Sequence, residues 1–321
     1  TGGVGAIHED EKFGPDYFLP TDAYLETCAA VGAGFFSQRM NQLTCNARYM
    51  DEVERVLYNN VLTGVSLSGD KYTYQNPLNT DKPDRWEWHV CPCCPPMFLK
   101  IMAAMPGYIY AYQGDNVYVN LFIGSEVRIP VGDNSVRLKQ LTSYPWHGAV
   151  SIQVNPDKAS TFSMKVRIPG WAQGTENPYD LYQSNLKAPV KLKVNQEDVL
   201  LRIVDGYAEI NREWKKGDHI ELELPMQPRL ITANKAVENL RGQVALASGP
   251  IIYCFEDADN PELQTFKLQA QTPLELSHDS NLLNGVNIIK CQGDIPAKAI
   301  PYYAVANREE SHSYKVWIPQ K

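Results

Sequence analysis

The sequence predicts an α+β protein of several domains, in which a helical first third is followed by antiparallel β-sandwich domains. Up to about residue 107, apolar residues recur at spacings of three and four, which is typical of amphipathic helices. Beyond that point, short alternating runs such as NVYVNLFIG, TFSMKVRIPGW and HIELELP are separated by turn residues, as in antiparallel sandwiches. A chain of 321 residues has room for two or three such domains.

Three stretches of the first third have helical periodicity, namely residues 28–43, 48–65 and 95–105. Two prolines open the third stretch, because proline is tolerated in the first turn of a helix, and Pro106 and Gly107 close it. The sandwich section divides weakly near residues 225–229. The predicted domains are therefore 1–107, 108–225 and 226–321.

Charge and hydropathy argue against two classes of partner. The net charge is −7 and no basic cluster stands out, so neither nucleic acid nor an anionic membrane surface is expected as a partner. The longest apolar run, MFLKIMAAMPGYIYAY, is interrupted by Lys100 and Pro106, so no membrane span is predicted. The chain opens on TGGVGAIHEDEKFG, with neither an initiator Met nor a signal pattern, and we expect it to be a C-terminal portion of a longer protein.

The cysteines are concentrated around the stretch HVCPCCPPMF. Of the seven cysteines, five lie in the first third: Cys28, Cys45, Cys91, Cys93 and Cys94. This distribution indicates a metal site or a reactive cluster rather than a disulfide scaffold.

Two of these segments place cysteine at the start of a predicted helix. The prolines after Cys94 put Cys93 and Cys94 at a helix N-terminus, and in LETCAAVG we expect Thr27 to cap a helix that Cys28 opens. Helix N-termini stabilise thiolates, but several thiolates close together repel one another unless a cation holds them. Zinc, which binds sulfur readily, is the natural candidate. The alternative is a pair of buried, inert cysteines.

Acidic residues lie near the cysteines in two places. Glu26 precedes Cys28 by two residues, and in an extended segment this spacing puts both side chains on one side, so that Glu26 reaches the same metal. Alternatively, Glu26 is an acid that interacts favourably with the helix dipole. Upstream, Glu9, Asp10 and Glu11 are adjacent and on their own read as a solvated loop.

Three segments together resemble bacterial β-L-arabinofuranosidases of glycoside hydrolase families 127 and 146: TGGVGAIHEDEKFGPDYFLPTDAYLETCAAVG, DEVERVLYNNVLTGVSLSGDKYTYQNPL and HVCPCCPPMFLKIMAAMPGYIY. The combination of E-T-C-A with C-x-C-C-P-P is specific. The resemblance implies an (α/α)6 barrel followed by β-sandwich domains, a zinc-bound cysteine nucleophile, a glutamate acid/base and retention of configuration. Residues 1–107 would then be the C-terminal part of that barrel, with the missing N-terminal half as its partner.

The resemblance also assigns the cysteine cluster. Cys93, the first cysteine of CCPP, would be the nucleophile. Cys94 and Cys28 would be the other thiolate ligands of Zn2+, and Glu26 would be its carboxylate ligand. Cys91 matches a motif cysteine without an assigned role.

The acid/base and a sugar contact follow from the same resemblance. DEKFG is similar to a G-E-x-F-G segment of the family, which makes Glu11 the candidate acid/base. Asp10 stands where the family has glycine and LPTDAY is one residue shorter, so Glu9 and Asp10 stay open as alternatives. Tyr74, in YTYQNPL, lies in a motif near the sugar.

We therefore expect a retaining glycoside hydrolase that releases β-L-arabinofuranose from plant glycans or glycoconjugates. One alternative is a related hydrolase that acts on another furanoside, such as a pectic acid sugar. Another is a non-catalytic module with a structural zinc site, which would need the four metal ligands but not Glu11. Without the upstream helices the pocket is expected to be half open and inactive, and either the bacterial periplasm or the cytoplasm fits such an enzyme.

Overall fold

The structure, a computed structural model, describes residues 1–293 and 295–321, and the side chain of Asp10 also lies outside the description. It is a mixed α+β fold with few helices and mostly antiparallel sheets. The α-helices of the described residues are α1 (Thr27–Thr44), α2 (Arg48–Val56) and α3 (Cys94–Ala104). None of these helices is long and apolar enough to cross a membrane.

The second helical stretch runs from Arg48 to Thr63, close to the predicted 48–65, but it is not α-helical throughout. It leaves α-helical geometry at Val56 and continues as a π-helical turn over Leu57–Val61. Asn59, inside this turn, donates to the carbonyl of Pro250 at 2.9 Å and accepts from the amide of Ile252 at 2.8 Å. The π-helical turn thus allows Asn59 to bind the backbone of a distant segment. Sequence periodicity does not indicate such a contact.

The expected capping role of Thr27 is wrong. The first helix already includes Thr27, and Glu26 is its N-cap residue without a capping hydrogen bond from its side chain. The buried Thr27 hydroxyl instead donates to the carbonyl of Thr73 at 3.0 Å. A buried hydroxyl needs a partner, and the nearby loop supplies one that the local sequence does not show.

The strands are numbered in chain order. The helical third contains β1 (Asn79–Thr80), and the middle of the chain contains β2 (Tyr110–Gln113), β3 (Asn116–Val119), β4 (Ser125–Val131), β5 (Asn134–Thr142), β6 (Ala149–Pro156), β7 (Ser160–Arg167), β8 (Tyr182–Ser184), β9 (Lys191–Val194), β10 (Glu197–Asp198), β11 (Ile203–Val204), β12 (Tyr207–Trp214) and β13 (Asp218–Glu223). The remaining strands are β14 (Arg229–Ala233), β15 (Gln243–Ser248), β16 (Ile251–Glu256), β17 (Leu274–Asp279), β18 (Val286–Cys291), β19 (Ala297–Pro301), β20 (Tyr314–Lys315) and β21 (Ile318–Pro319).

The middle strands form a sandwich. One sheet has the order β10-β9-β13-β6-β5-β4 and the other has the order β11-β12-β7-β3-β2. Their inner faces share one buried apolar core, which includes Val117, Ile129, Leu138, Ile152, Met164, Ile210, Trp214 and Leu222. The expected purely antiparallel pairing is wrong at one place, because β3 and β7 run parallel.

The last strands form a ten-stranded sheet. Seven of its strands have the order β17-β18-β19-β16-β15-β14-β8, and the other three, β1, β20 and β21, pair at its side. Strand β8 leaves the middle of the chain to pair with β14, and β1 leaves the helical third to pair with β20. The division into 1–107, 108–225 and 226–321 stays a prediction, and these two strands pair across its boundaries.

Buried ion pairs connect the regions. On α2, Asp51 and Glu54 bind the guanidinium of Arg167 at the end of β7, with 2.7 Å from Arg167 Nη1 to Asp51 Oδ1. Further along, Arg229 of β14 binds Glu176 at 2.6 Å. Each of these pairs has little contact with solvent, so removal of one partner would leave a buried charge without compensation.

Candidate active site

Four side chains from two separate segments converge at the start of α1 and α3. One ligand atom each from Glu26, Cys28, Cys93 and Cys94 lies within 4.8 Å of all the others. The Cys28 and Cys94 sulfurs are 3.5 Å apart, and the Cys93 sulfur lies 3.6 Å from Glu26 Oε1. Donor atoms at these separations surround a space in which a single metal ion could contact all four residues.

The backbone explains how the two segments present these groups. Glu26 is extended (φ −62°, ψ 139°), but Thr27 already belongs to α1, so the expected extended segment ends at Glu26 and does not reach Cys28. Leu25 just before it has a φ of 44°, a left-handed conformation that is rare for a bulky side chain and that turns the chain into the helix. On the other segment Cys93 is the N-cap residue of α3 and Cys94 is its first residue.

Burial raises the pKa of three members of this cluster, Glu26, Cys28 and Cys94. Burial, followed by the nearby charge of Glu11, raises the pKa of Glu26. Burial also raises the pKa of Cys94 to about 12 and raises the pKa of Cys28. Without a cation the Cys28 and Cys94 thiols therefore hold their protons at neutral pH, and burial shifts the pKa of Glu26 in the same direction. A bound dication would reverse this preference, because it stabilises thiolate and carboxylate directly.

The charge balance of Glu26 differs from that of the other buried glutamates. Among the described residues the buried glutamates are Glu26, Glu54, Glu176 and Glu256. The last three each form an ion pair with an arginine of the chain, whereas no basic side chain of the described residues pairs with Glu26. A buried carboxylate without a counter-charge is costly, so the chemistry of this donor set fits a metal ion.

The candidate acid/base lies next to this cluster. Glu11 Oε1 accepts a hydrogen bond from the Tyr24 hydroxyl at 2.9 Å and another from the Tyr74 hydroxyl at 3.4 Å. Glu11 is exposed and has a φ of 53°, whereas Glu9, at the start of the same 3-10 turn, is exposed without such partners from the described side chains. The alternative Asp10 lies outside the described side chains.

An aromatic group connects the carboxyl with the cysteines. Tyr74 packs with Tyr24, Tyr72, Cys93 and Cys94 in one small cluster. Trp86 joins this cluster and stacks on the ring of His89, with ring centroids 4.4 Å apart. The structure thus brings together Glu11, Tyr74 and the four predicted metal ligands. It gives Cys91 an exposed position outside the four-residue set.

Sequence reasoning missed two of these residues. Tyr24 lies two residues before Glu26, but the left-handed Leu25 between them interrupts the extended backbone, so the two-residue spacing gives no signal for Tyr24. Trp86 and its stack on His89 depend on the path of a long loop, for which the sequence contains no local signal. His8 lies in a loop, and its Nε2 is 2.8 Å from the Asp22 carbonyl.

Three family models match consecutive parts of the chain. They are described as the catalytic domain of GH127 β-L-arabinofuranosidase, matching residues 1–107, its middle domain, matching 116–226, and the C-terminal domain of glycoside hydrolase family 127, matching 228–319.

Curated and solved relatives agree with these models. A non-reducing end β-L-arabinofuranosidase of Bifidobacterium longum subsp. longum is 31% identical, over 96% of this chain and 51% of its own length. A solved GH127 β-arabinofuranosidase is 36% identical with a TM-score of 0.93, covering 100% of this chain and 53% of its own. A GH127 β-L-arabinofuranosidase from Geobacillus stearothermophilus T6 is 35% identical with a TM-score of 0.92, covering 100% and 54%. This chain therefore spans about half the length of the relatives that it matches.

Proposed function

Because this chain belongs to glycoside hydrolase family 127, we propose that it is the C-terminal part of a retaining glycosidase that releases β-L-arabinofuranose from plant glycans or glycoconjugates. In this proposal α1, α2 and α3 are the last helices of an (α/α)6 barrel, and upstream helices complete the sugar pocket. The names of the relatives and their double length support the proposal. The substrate is an oligo- or polysaccharide with arabinofuranosyl groups.

The metal of the proposed site is Zn2+, held by Glu26, Cys28, Cys93 and Cys94. Three sulfurs and one carboxylate oxygen make a tetrahedral set that suits zinc. When bound, zinc keeps the thiolates ionised at neutral pH and fixes their positions. The carboxylate favours a catalytic role over the alternative of a purely structural site, since structural zinc sites usually use only sulfur and histidine.

The proposed reaction proceeds in two displacements. The Cys93 thiolate attacks the anomeric carbon and forms a C–S bond, while the C–O bond to the leaving group breaks and Glu11 gives its proton to the leaving oxygen. Glu11 then takes a proton from water as the water oxygen bonds to the anomeric carbon and the C–S bond breaks. Each displacement inverts the anomeric carbon, so the product retains its configuration. Tyr74, between the carboxyl and the cysteines, would contact the sugar.

The observation that carries this proposal is the cluster of three thiols around a buried glutamate without a basic partner, next to a hydrogen-bonded carboxyl. The test is covalent labelling of the full-length protein with an electrophilic mimic of β-L-arabinofuranose, followed by peptide mass spectrometry. We expect one adduct, on Cys93, that is absent from the Cys93→Ala variant. Cys91→Ala is the matched control: Cys91 is an exposed thiol two residues away, and its loss should leave labelling unchanged.

Two outcomes would contradict the proposal. An adduct on Cys91 in place of Cys93 would show simple thiol reactivity. An unlabelled protein that still binds one zinc per chain would instead favour an enzyme for another furanoside, such as a pectic acid sugar, or a structural metal site.

A further inference from the structure

The hydroxyl of Tyr24 is the closest partner of the candidate acid/base. It donates to Glu11 Oε1 at 2.9 Å, and both hydrogen bonds that the described residues make to this carboxyl end on the same oxygen. The Tyr24 ring is buried, and its edge contacts His8 and Tyr74 at centroid distances of 5.7 and 6.1 Å. The buried Tyr24 hydroxyl thus binds the carboxyl of Glu11, which is exposed on a short 3-10 turn.

We propose that Tyr24 is a positioning residue that holds Oε1 of Glu11 as an acceptor, so that the proton delivered to the leaving oxygen is carried on Oε2. This inference rests on the proposed function, because it concerns the same acid/base. A phenol has one proton to donate and a neutral carboxyl has one O–H group. When Oε1 accepts from Tyr24, the carboxyl proton belongs on Oε2, and the direction in which the acid donates is fixed before the substrate binds.

The backbone places Tyr24 and the metal cluster on one short segment. Tyr24 and Glu26 flank Leu25, whose left-handed conformation is fixed by a 3.0 Å hydrogen bond from its amide to the carbonyl of Gly5. Residues in such sparsely populated conformations persist only where their surroundings determine them, and they are frequent at functional sites. This segment therefore sets the position of Glu11 relative to the cysteines. The Tyr24 hydroxyl binds Glu11, and the Glu26 carboxyl lies among the cysteines.

The experiment compares leaving groups in the full-length enzyme with the Tyr24→Phe variant. General acid catalysis matters for a poor alkyl leaving group and little for an activated nitrophenyl group, because the latter leaves without a proton. For the alkyl arabinofuranoside we expect kcat to fall roughly 10- to 100-fold, part of the full effect of a general acid. For the nitrophenyl arabinofuranoside we expect a loss of less than about threefold, with KM and zinc content unchanged.

Tyr302→Phe is the matched control. Tyr302 is also buried, and its hydroxyl donates to the carbonyl of Asn76 at 2.7 Å, so this variant loses a buried hydrogen bond of similar length. Any effect that it has on the rate should be equal for the two leaving groups, because its hydroxyl does not reach Glu11.

Glu11→Ala separates a failure of this inference from a failure of the proposed function. If Glu11→Ala lowers the alkyl rate selectively but Tyr24→Phe lowers both rates equally or neither, Tyr24 has no positioning role and the inference is overturned. If Glu11→Ala leaves the alkyl rate at the wild-type level, the acid/base assignment falls and the role of Tyr24 falls with it. A selective loss in both variants supports the inference.

Discussion

Two buried acidic clusters of this protein differ in how their negative charge is compensated. In the interface between α2 and the sandwich, Glu54 is bound by Arg167 and accepts hydrogen bonds from the Tyr144 hydroxyl at 2.8 Å and from the Trp171 indole at 3.3 Å. In the candidate active site, Glu26 is also buried but faces three thiols.

The difference shows what each cluster is built to bind. The Glu54 cluster contains its own cation, and its hydrogen bonds leave little room for a ligand, as expected of a structural contact. In the Glu26 cluster burial raises the pKa of the carboxyl and of Cys94, and an external dication would supply the positive charge that the described residues around it do not. A missing counter-charge, rather than the number of acidic groups, distinguishes the functional cluster from the structural one.

The largest effect is expected from the cluster without its own cation. Cys94→Ala, at a nearly fully buried position, removes one of the four proposed metal ligands. We expect loss of stoichiometric zinc, measured by elemental analysis, and a fall in kcat/KM of at least about 10³-fold, as when the group that activates a nucleophile is lost. The control is Cys291→Ala, a buried cysteine of β18 far along the chain, which should keep its zinc. A Cys94→Ala variant with full zinc content would contradict the metal site.

The next largest effect is expected in the Glu54 cluster. Arg167→Met removes the cation and leaves Glu54 and Asp51 uncompensated, so we expect the free energy of unfolding to fall by about 3–5 kcal/mol. Chemical denaturation of the full-length protein measures this change. Arg128→Met, which breaks the exposed ion pair with Asp157, should cost less than about 1 kcal/mol. Equal costs for the two variants would show that the buried cluster has no special role in stability.

A third buried carboxyl, that of Glu176, should make the free energy of unfolding depend on pH. Although burial alone would raise it, the charge of Arg229 and its hydrogen bonds hold the pKa of Glu176 below its ordinary value. The unfolded chain then binds more protons, so this contribution to stability is complete above the unfolded pKa and is lost as the pH falls through the folded pKa. The slope is at most about 1.4 kcal/mol per pH unit.

Denaturation curves between pH 3 and pH 7 test this sign. Glu176→Gln should flatten the acid side of the stability profile. A variant that keeps the same acid slope as the wild type would assign that slope to other carboxyls.

The smallest effect is expected from Glu26→Gln in the zinc-free protein. Because no basic side chain of the described residues pairs with Glu26, its replacement by the neutral amide breaks no ion pair, and the free energy of unfolding should change by no more than about 1 kcal/mol. The corresponding Glu54→Gln variant should be clearly less stable than wild type, since it weakens the pair with Arg167. A large loss for Glu26→Gln without zinc would mean that the chain itself compensates this carboxylate. With zinc present, the same variant should bind the metal more weakly.

The sequence was most informative where chemistry is local. Cysteines beside prolines indicated a helix N-terminus, which the structure confirms at Cys93 and Cys94. The extended segment expected from Glu26 to Cys28 is confirmed only at Glu26, because α1 begins at Thr27. The switch from helical to alternating periodicity near residue 107 likewise predicted the helices and the strand-rich remainder. These signals depend on neighbours within a few residues, which the sequence displays directly.

The features that escaped prediction depend on partners far along the chain. The hydroxyl of Thr27 binds a carbonyl 46 residues away instead of capping its helix, and Asn59 widens α2 to reach backbone groups 191 residues away. The parallel pair β3–β7 and the crossing of β8 into the last sheet arise in the same way. Tyr24 was missed because its role depends on its hydrogen bond to Glu11, a residue 13 positions earlier in the chain.

The pairing of β1 with β20 has a consequence for biosynthesis. The loop that leads from β1 towards Cys93 is held by partners far downstream: Tyr314 donates to the carbonyl of Pro77, 237 residues earlier, and Arg85 donates to the carbonyl of Val305, 220 residues later. At about 5–20 residues per second, a ribosome needs roughly 12–47 s to make the intervening chain. During that time the thiols are present without these downstream contacts, so we expect a reducing environment or early capture of metal to favour correct folding.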